Sequence, residues 1–335
     1  MRIGLTYDLQ TDGALPRQAE YDAPETIAAV TRAIERAGHV VVPLGSPEAL
    51  LRLASAEWWQ LPEMVFNLAE GGAGRCREAW APALLETLGV PYSGSGPSAL
   101  MLSLDKQLTK RLCQAYDIPT PPWMCVAPGQ PIALPAALAF PLIVKPRYEG
   151  SAIGIDAAAI VRDARTLEAR VRWATAAYAQ PVLIEPFIAG AEATVCLIGN
   201  EPPAPLPPVL RPLDPRTGLA WHAAKRPASD GGEAIVPATL TPEQETLLRC
   251  YATRLFTALR CRDLARVDFR LDARGRPWCL EINPLPNLAP DDSFGLLGDS
   301  LGIGHAGMIA RILAAALRRY GLTFHASSQE RLRVS

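Results

Sequence analysis

The sequence predicts an α/β protein built as three lobes, and three observations lead there. Short apolar segments alternate with helically spaced ones through the first third. From about residue 193 the rhythm changes to strand–turn–strand. The 335 residues suffice for two or three domains with cores of their own, at roughly 100–200 residues each. Hydrophobic residues at 49% against 20% charged place the chain among ordinary globular proteins and outside the disordered class. Lys and Arg number 33 against 34 Asp and Glu, a formal charge of -1 that removes the argument for broad nucleic-acid or membrane-surface binding. No apolar run reaches the ~18 residues of a transmembrane helix, and the first residues lack the basic and apolar regions of a signal peptide. The seven cysteines are scattered without a CxxC pair, which points to the reducing cytoplasm and away from disulfides or structural zinc.

Residues 2–7 are apolar and short, as a buried strand requires. Asp22, Pro24 and Glu25 read as an N-cap, a helix-entry proline and a first-turn acid. Ile27, Val30 and Ile34 continue at helical spacing until Gly38 ends the helix. Residues 40–44 and 64–67 supply two more strands, with a helix over 79–88 and a strand returning at 90–92. Such alternation predicts a parallel sheet covered on both faces. A helix over 98–116 follows, then a Pro-rich link at 118–122. The middle third holds a strand at 140–145, a Gly/Ser loop, a helix near 163–178 and a strand at 182–185. Gly199 and Asn200 suit a hairpin turn, and residues 201–240 read as a long, partly mobile connection. Thr241 opens a helix to about 260, residues 265–271 and 278–283 flank a second hairpin, and a last helix spans 306–320. The expected divisions are 1–96, 97–187 and 188–325, with a frayed tail at 326–335.

Chemistry concentrates in four segments. Alternation puts Arg266, Asp268 and Arg270 on one strand face, and Glu281 and Asn283 on one face of the partner strand. Two acids and an amide oxygen converging from a hairpin form a hard oxygen site suited to Mg²⁺. Arg266 beside them can meet a phosphate or a developing oxyanion; the alternative is a half-solvated hairpin of alternating charge. Lys145 closes an apolar strand before a Gly/Ser loop, which can hold phosphate oxygens through charge and backbone N–H groups, or be a plain turn. Lys106 and Lys110 follow Asp105 on a helix, where a solvated face is the simpler reading. The segment from Glu185 to Glu192 can offer strand backbone to a purine and a carboxylate to a ribose. Residues 94–99 imitate a dinucleotide fingerprint, but Pro97 sits inside it and no acid follows in a βαβ unit; neither a P-loop nor a GxSxG elbow is present.

Taken in this order, the segments resemble the ATP-grasp superfamily and, within it, the D-alanine–D-alanine ligases. The similarity covers about residues 1–320, through Val65-Phe66-Asn67, residues 89–96, Asp105-Lys106 with Lys110, and residues 140–146, 149–154, 185–192, 266–269 and 281–284. It implies a parallel α/β N-terminal domain and ATP gripped between central and C-terminal lobes. Lys106 and Lys145 would contact the phosphates under a loop that includes Glu149 and Ser151. Glu185, Pro186, Phe187 and Ile188 would form the adenine hinge, and Glu192 would meet the ribose. Asp268, Glu281 and Asn283 would hold two Mg²⁺, with Mn²⁺ an alternative. Arg266 would stabilise the tetrahedral intermediate, with Ser151 and Lys225 beside it. The implied reaction activates a carboxylate as an acyl phosphate, which an amine attacks to give an amide, ADP and phosphate. The implied partners are small amino acids and a second copy of the chain, a homodimer formed through the first lobe.

The amino-acid half departs from that pattern. Where these ligases carry a His-Gly segment and an acidic turn, this chain reads Glu70-Gly71-Gly72-Ala73-Gly74-Arg75-Cys76-Arg77-Glu78. Glu20 matches the family's ammonium-binding glutamate, with Glu25 the alternative. Glu70, Arg75, Arg226, Asn287 and Ser293 complete the expected substrate residues. Arg75, Arg77 and Arg226 are either solvated or line the pocket, and in the pocket they favour a substrate more acidic or larger than alanine. The expected function is an amino-acid or peptide ligase whose pair differs from two D-alanines. A cell-wall D-alanine–D-alanine ligase is the near alternative; a phosphotransferase or an inactive ATP-binding protein is the distant one.

Overall fold

The computed structural model describes residues 1–12, 15–57, 60–220, 234, 236 and 238–322. In the first lobe β1 (Arg2–Thr6) lies between β2 (Val40–Gly45) and β3 (Met64–Asn67), all parallel. Helices α1 (Pro24–Arg36), α2 (Pro47–Glu57) and α3 (Trp80–Leu88) complete it. β1 and β3 are buried between cores on both faces, as a parallel sheet requires, while the edge strand β2 buries only Leu44 fully. Ala23 occupies the N-cap of α1, not Asp22 as expected. Asp22 instead exchanges backbone hydrogen bonds with Asp8 and Gln10 at 3.0 and 2.9 Å, which draws it inside, while Pro24 fixes the helix entry. The strand expected at 90–92 reduces to one bridge between Val65 and Tyr92. Helix α2 was not expected, although Ser46 before Pro47 is a start signal, and its hydroxyl accepts the Ala49 N–H at 3.4 Å.

The helix expected over 98–116 is two, α4 (Pro97–Leu104) and α5 (Lys106–Ala115), broken at Asp105. Asp105 is extended, and its carboxylate accepts the N–H groups of Gln107 and Leu108. A side chain that caps the backbone competes with helix continuation, so the chain turns here and delivers Lys106 to the first turn of α5. Arg147 locks the cap with bonds of 2.7 and 2.6 Å.

The central lobe is an antiparallel sheet of β4 (Met124–Val126), β5 (Leu142–Pro146), β6 (Ile160–Val161) and β7 (Val182–Pro186), in the order β4-β7-β5-β6. Helix α6 (Ala164–Tyr178) covers it, started by a capping box of Asp163 and Thr166. The C-terminal lobe contains β8 (Glu192–Ile198), β9 (Ala204–Pro205), β10 (Val209–Arg211), α7 (Pro242–Ala258), β11 (Leu264–Leu271) and β12 (Pro277–Asn283). Helices α8 (Ser293–Ser300), which was not expected, and α9 (Gly304–Arg319) end the chain's described part. Strand order is β10-β8-β11-β12, with β9 beside β8.

Core packing divides the three lobes unequally. The central lobe has its own core, around Leu142, Val144, Leu167 and Ile184. The first and C-terminal lobes share one, in which Ile3, Phe66 and Ile34 meet Met308, Ile312 and Cys196 through α9. Arg319 adds a buried pair with Asp263 at 2.7 Å and donates to the Tyr92 carbonyl at 2.7 Å. Among the described residues no single helix is long and apolar enough to cross a membrane.

Candidate active site

A cavity of about 120 Å³ lies between the central and C-terminal sheets, with Lys106, Lys145, Glu149, Glu185, Glu192 and Glu281 among its walls. Antiparallel pairing sets Lys145 opposite Leu183, so Glu185 stands diagonally on the same face, 2.5 Å from the Lys145 Nζ. Lys110 holds the other Glu185 oxygen at 2.6 Å and donates to the Thr120 hydroxyl at 2.8 Å. Burial alone would raise the Glu185 carboxyl, but Lys110 and Lys145 more than offset it and hold it below the usual range. One carboxylate between two ammonium groups leaves net positive charge at the cleft wall. Lys106 bridges the lobes, donating to the Glu149 carbonyl at 2.7 Å and to Glu281 at 2.8 Å. Burial pushes the Lys106 ammonium down, and Glu281 more than restores it; in turn burial would raise Glu281, but Lys106 first, then Lys145 and Arg266, bring it to about 2. Lys106 and Lys110 are only 8% and 1% exposed, which corrects the reading of a solvated helix face.

Pro186, Phe187 and Ile188, expected to form a hinge, line the same cavity, while Glu185 faces the lysines. Glu192 is the cross-strand partner of Arg270, paired at 3.0 Å, and Arg270 also sits 5.4 Å from the centre of the Phe187 ring. Gly190 passes so close to β11 that a Cβ would lie 1.9 Å from the Leu271 carbonyl oxygen, so only glycine fits the crossover. The 149–154 loop is held shut from the first lobe. Gly150 N–H donates to Glu20 at 2.8 Å, where a Cβ would meet that carboxylate at 2.6 Å. Ser151 and Ala152 take φ of 45° and 54°, a left-handed conformation costing about 1–2 kcal/mol per non-glycine residue.

Register produces the acidic face expected of the second hairpin: Asp268 opposes Glu281 and Arg266 opposes Asn283, with a bulge just after Asp268. Thr194 donates to Asp268 at 2.7 Å, and the Asn283 amide nitrogen lies 3.3 Å away. Arg266 pairs with Asp268 at 3.0 Å and lies 3.9 Å from Asp292. Two carboxylates and an amide fit a hard divalent cation that keeps positions for phosphate and water. Among the described residues no group of three His, Cys, Asp or Glu could form a complete metal cage.

A second cavity of about 50 Å³ lies beyond Ser151 and Arg266, with Glu20, Glu70, Glu78 and Asn287 among its other walls. Arg77, 5% exposed, closes on Glu20 with bonds of 2.7, 2.8 and 3.1 Å and on the Tyr148 carbonyl at 3.0 Å. Arg75 stands outside, its side chain 64% exposed and stacked 4.5 Å from the centre of the Tyr148 ring. Lys225 and Arg226 lie outside the described residues. Among the described residues the walls of this cavity carry the carboxylates of Glu20, Glu70, Glu78 and Asp292 against the guanidinium of Arg266. Burial first, then Glu78 and Glu20, raise the Glu70 carboxyl well above normal, and burial with Glu20 pushes Glu78 up to about 8.

Other expected residues fall differently. Ser293 is buried, its hydroxyl accepting from Arg211 at 2.9 Å, and the wall position belongs to Asp292, the N-cap of α8. Asn287 is exposed and caps the Ala289 N–H at 2.7 Å. Glu25 is exposed in the first turn of α1 and lines neither cavity. Sequence reasoning missed Glu78 and Asp292 as wall residues and Lys110 as the second partner of Glu185. The four-residue spacing of Lys106 and Lys110 placed both on one face; only the direction of that face was lost.

Residues 112–314 match the family model described as the D-ala D-ala ligase C-terminus. An uncharacterized protein of Sinorhizobium fredii is 35% identical over 300 residues, covering 87% of both chains. A D-alanine–D-alanine ligase of Synechococcus is 33% identical over 313 residues, covering 90% of this chain and 91% of that one. A crystal structure of the Bacillus anthracis D-alanine–D-alanine ligase complexed with ATP superposes with a TM-score of 0.74 at 22% identity, covering 96% of this chain and 99% of that one. The fold is therefore an ATP-grasp fold of three lobes. The chain belongs to the D-alanine–D-alanine ligase family, whose members are ATP-dependent carbon–nitrogen ligases.

Proposed function

We propose that the chain is an ATP-dependent ligase that joins the carboxylate of one amino acid to the amine of another. The observation that carries this reading is the cross-lobe set of Lys106, Lys145 and Glu281 facing one cleft, with Asp268 opposite Glu281 on the neighbouring strand and Arg266 paired to Asp268. ATP occupies the cleft, its phosphates against Lys106 and Lys145 and its base against residues 186–188. Asp268, Glu281 and Asn283 hold Mg²⁺, two ions in the fullest arrangement and Mn²⁺ as substitute, which neutralise charge on the phosphates. The substrate carboxylate attacks the γ-phosphorus; the bond to the β-bridging oxygen breaks, and ADP leaves. The amine then attacks the acyl carbon and phosphate departs. Arg266, its charge held by Asp268 and Asp292, stands where the tetrahedral oxyanion develops. The closed 149–154 loop excludes water from the acyl phosphate.

Seven free cysteines suit a cytoplasmic enzyme, and the family resemblance supports a homodimer, which light scattering tests. The names of several relatives favour a second reading, D-alanine as both substrates. A screen of amino acids for ADP release, with product masses, separates the two. Amide products from other amino acids support the broader reading; exclusive D-alanyl-D-alanine supports the second. ATP consumption that yields a stable phosphorylated product and no amide contradicts both.

A further inference from the structure

We infer that Arg77 is a positioning residue for the ligase reaction: by fixing Glu20 it ties the crest of the 149–154 loop to the first lobe, so that the acyl phosphate meets the amine and not water. The inference rests on the ligase reading above and deepens it at the loop. The loop is held differently at its root and at its crest. At the root, Gln180 of the central lobe accepts the Tyr148 N–H at 2.8 Å and donates to Glu149 at 2.6 Å. At the crest the partners come from the first lobe. Among the described residues, every hydrogen bond between that lobe and residues 148–152 involves Arg77 or Glu20. One terminal nitrogen of Arg77 donates to the Tyr148 carbonyl at 3.0 Å, and the other grips both Glu20 oxygens at 2.7 and 2.8 Å. Glu20 in turn accepts the Gly150 N–H at 2.8 Å. The two paired side chains are only 6% and 8% exposed, so this fork supplies a fixed geometry more than stability.

The place of the pair gives it a function. Gly150 walls both the nucleotide cavity and the smaller one beside it, which puts the crest where the acyl phosphate forms. Just past it, Ser151 and Ala152 hold left-handed backbone, which persists only where surrounding contacts impose it. Lys106 donates to the Glu149 carbonyl at 2.7 Å, so the anchored loop also sets a lysine assigned to the phosphates. A groove of about 440 Å³ is walled by Arg77, Tyr148 and Tyr178, and Glu20 is a wall of this groove and of the inner cavity alike. Releasing the pair opens a way for water from one to the other. Water then attacks the acyl phosphate, the bond joining its acyl and phosphoryl groups breaks, and carboxylate, phosphate and a proton are released. ATP is consumed and no amide forms.

The test uses the full chain with Mg²⁺, ATP and a mixture of the standard amino acids with D-alanine. It reads ADP released per amide formed, by product mass, and hydrogen exchange at residues 148–152. The double variant Arg77→Met, Glu20→Gln removes both charges together and leaves neither buried alone. Against about one ADP per amide in wild type, it is expected to raise the ratio at least about fivefold and to speed loop exchange about tenfold, with β1 and α9 unchanged. Arg77→Lys keeps the charge without the fork and should fall between. Loop exchange that stays at the wild-type rate in the double variant overturns the inference and leaves the ligase reading standing. Amide and ADP that fall in step, at an unchanged ratio, mark a substrate-binding role and also overturn it. Protection lost throughout both variants marks a purely structural role and does the same. No amide from wild type overturns the ligase reading and the inference with it.

Discussion

The cavity walled by Lys106, Lys145 and Glu281, proposed as the nucleotide cleft, and the one walled by Glu20, Glu70 and Glu78, proposed as the amino-acid pocket, arrange their charges in opposite ways. In the cleft every acid has a base: Glu185 has Lys110 and Lys145, Glu281 has Lys106, and Glu192 has Arg270. In the pocket Glu20 is paired, while Glu70 and Glu78 stand without a base at bonding distance among the described residues. The cleft is preorganised: its lysines are held in place before phosphate arrives, and little reorganisation remains for the reaction to perform. In the pocket, burial and mutual repulsion raise Glu70 and Glu78, so these acids take up a proton or a cationic group more readily than ordinary carboxylates. Charge is thus matched within the protein in one cavity and left to a proton or a ligand in the other.

The sharpest way to break this contrast is Arg266→Ala. Loss of an oxyanion donor is expected to lower kcat about 10²–10³-fold, roughly 3–4 kcal/mol, with little change in KM for ATP. Steady-state kinetics check it, and a loss confined to KM would move Arg266 from the transition state to ground-state binding. The next effect belongs to a titration. Burial first, then Asp8, raises the Asp22 carboxyl to about 7, against about 3.9 in an unfolded chain. The folded state therefore holds an extra proton between those values. This contribution to stability is complete below about pH 4 and is lost as pH rises through 7, on the order of 4 kcal/mol. Asp22→Asn is expected to remove that slope and to raise the melting temperature at pH 8; a slope unchanged in the variant would refute the assignment.

Lys110→Met sharpens the comparison from the cleft side. It leaves Glu185 with Lys145 alone, drawing that lysine from the phosphates. KM for ATP is expected to rise roughly tenfold, about 1.4 kcal/mol, with a stability loss of about 3 kcal/mol on denaturant unfolding. Lys110→Arg, which keeps the charge, should recover much of both. The smallest effect is expected for Arg75→Ala, whose side chain is 64% exposed. Its kcat/KM and stability should stay within about 0.5 kcal/mol of wild type, and a large loss would bring Arg75 back into the pocket.

Much of this was legible in the sequence where local pattern and fold agree. The hairpin carrying Arg266, Asp268, Glu281 and Asn283 followed from alternation alone, because strand register admits only two faces. The parallel first lobe followed from its alternating rhythm. Asp105 was misjudged because helical periodicity runs through it, and only the Arg147 partner 42 residues away reveals the cap. Asp22 was misjudged for a similar reason: a good capping residue was claimed by tertiary backbone pairing. Arg77 read as a possible recognition charge until the fold brought Glu20 to it across 57 residues. Pairing between distant segments decides whether a charge in this site is available, and no local pattern encodes it.

The most direct measurement is calorimetric titration of ATP into the full chain with and without Mg²⁺, in wild type and Glu281→Gln. Cleft residues already held in register should take up ATP at one site per chain when Mg²⁺ is present, and Glu281→Gln should weaken that uptake at least about tenfold. ATP uptake that is absent, indifferent to Mg²⁺, or unchanged by the substitution would contradict the role given to the hairpin.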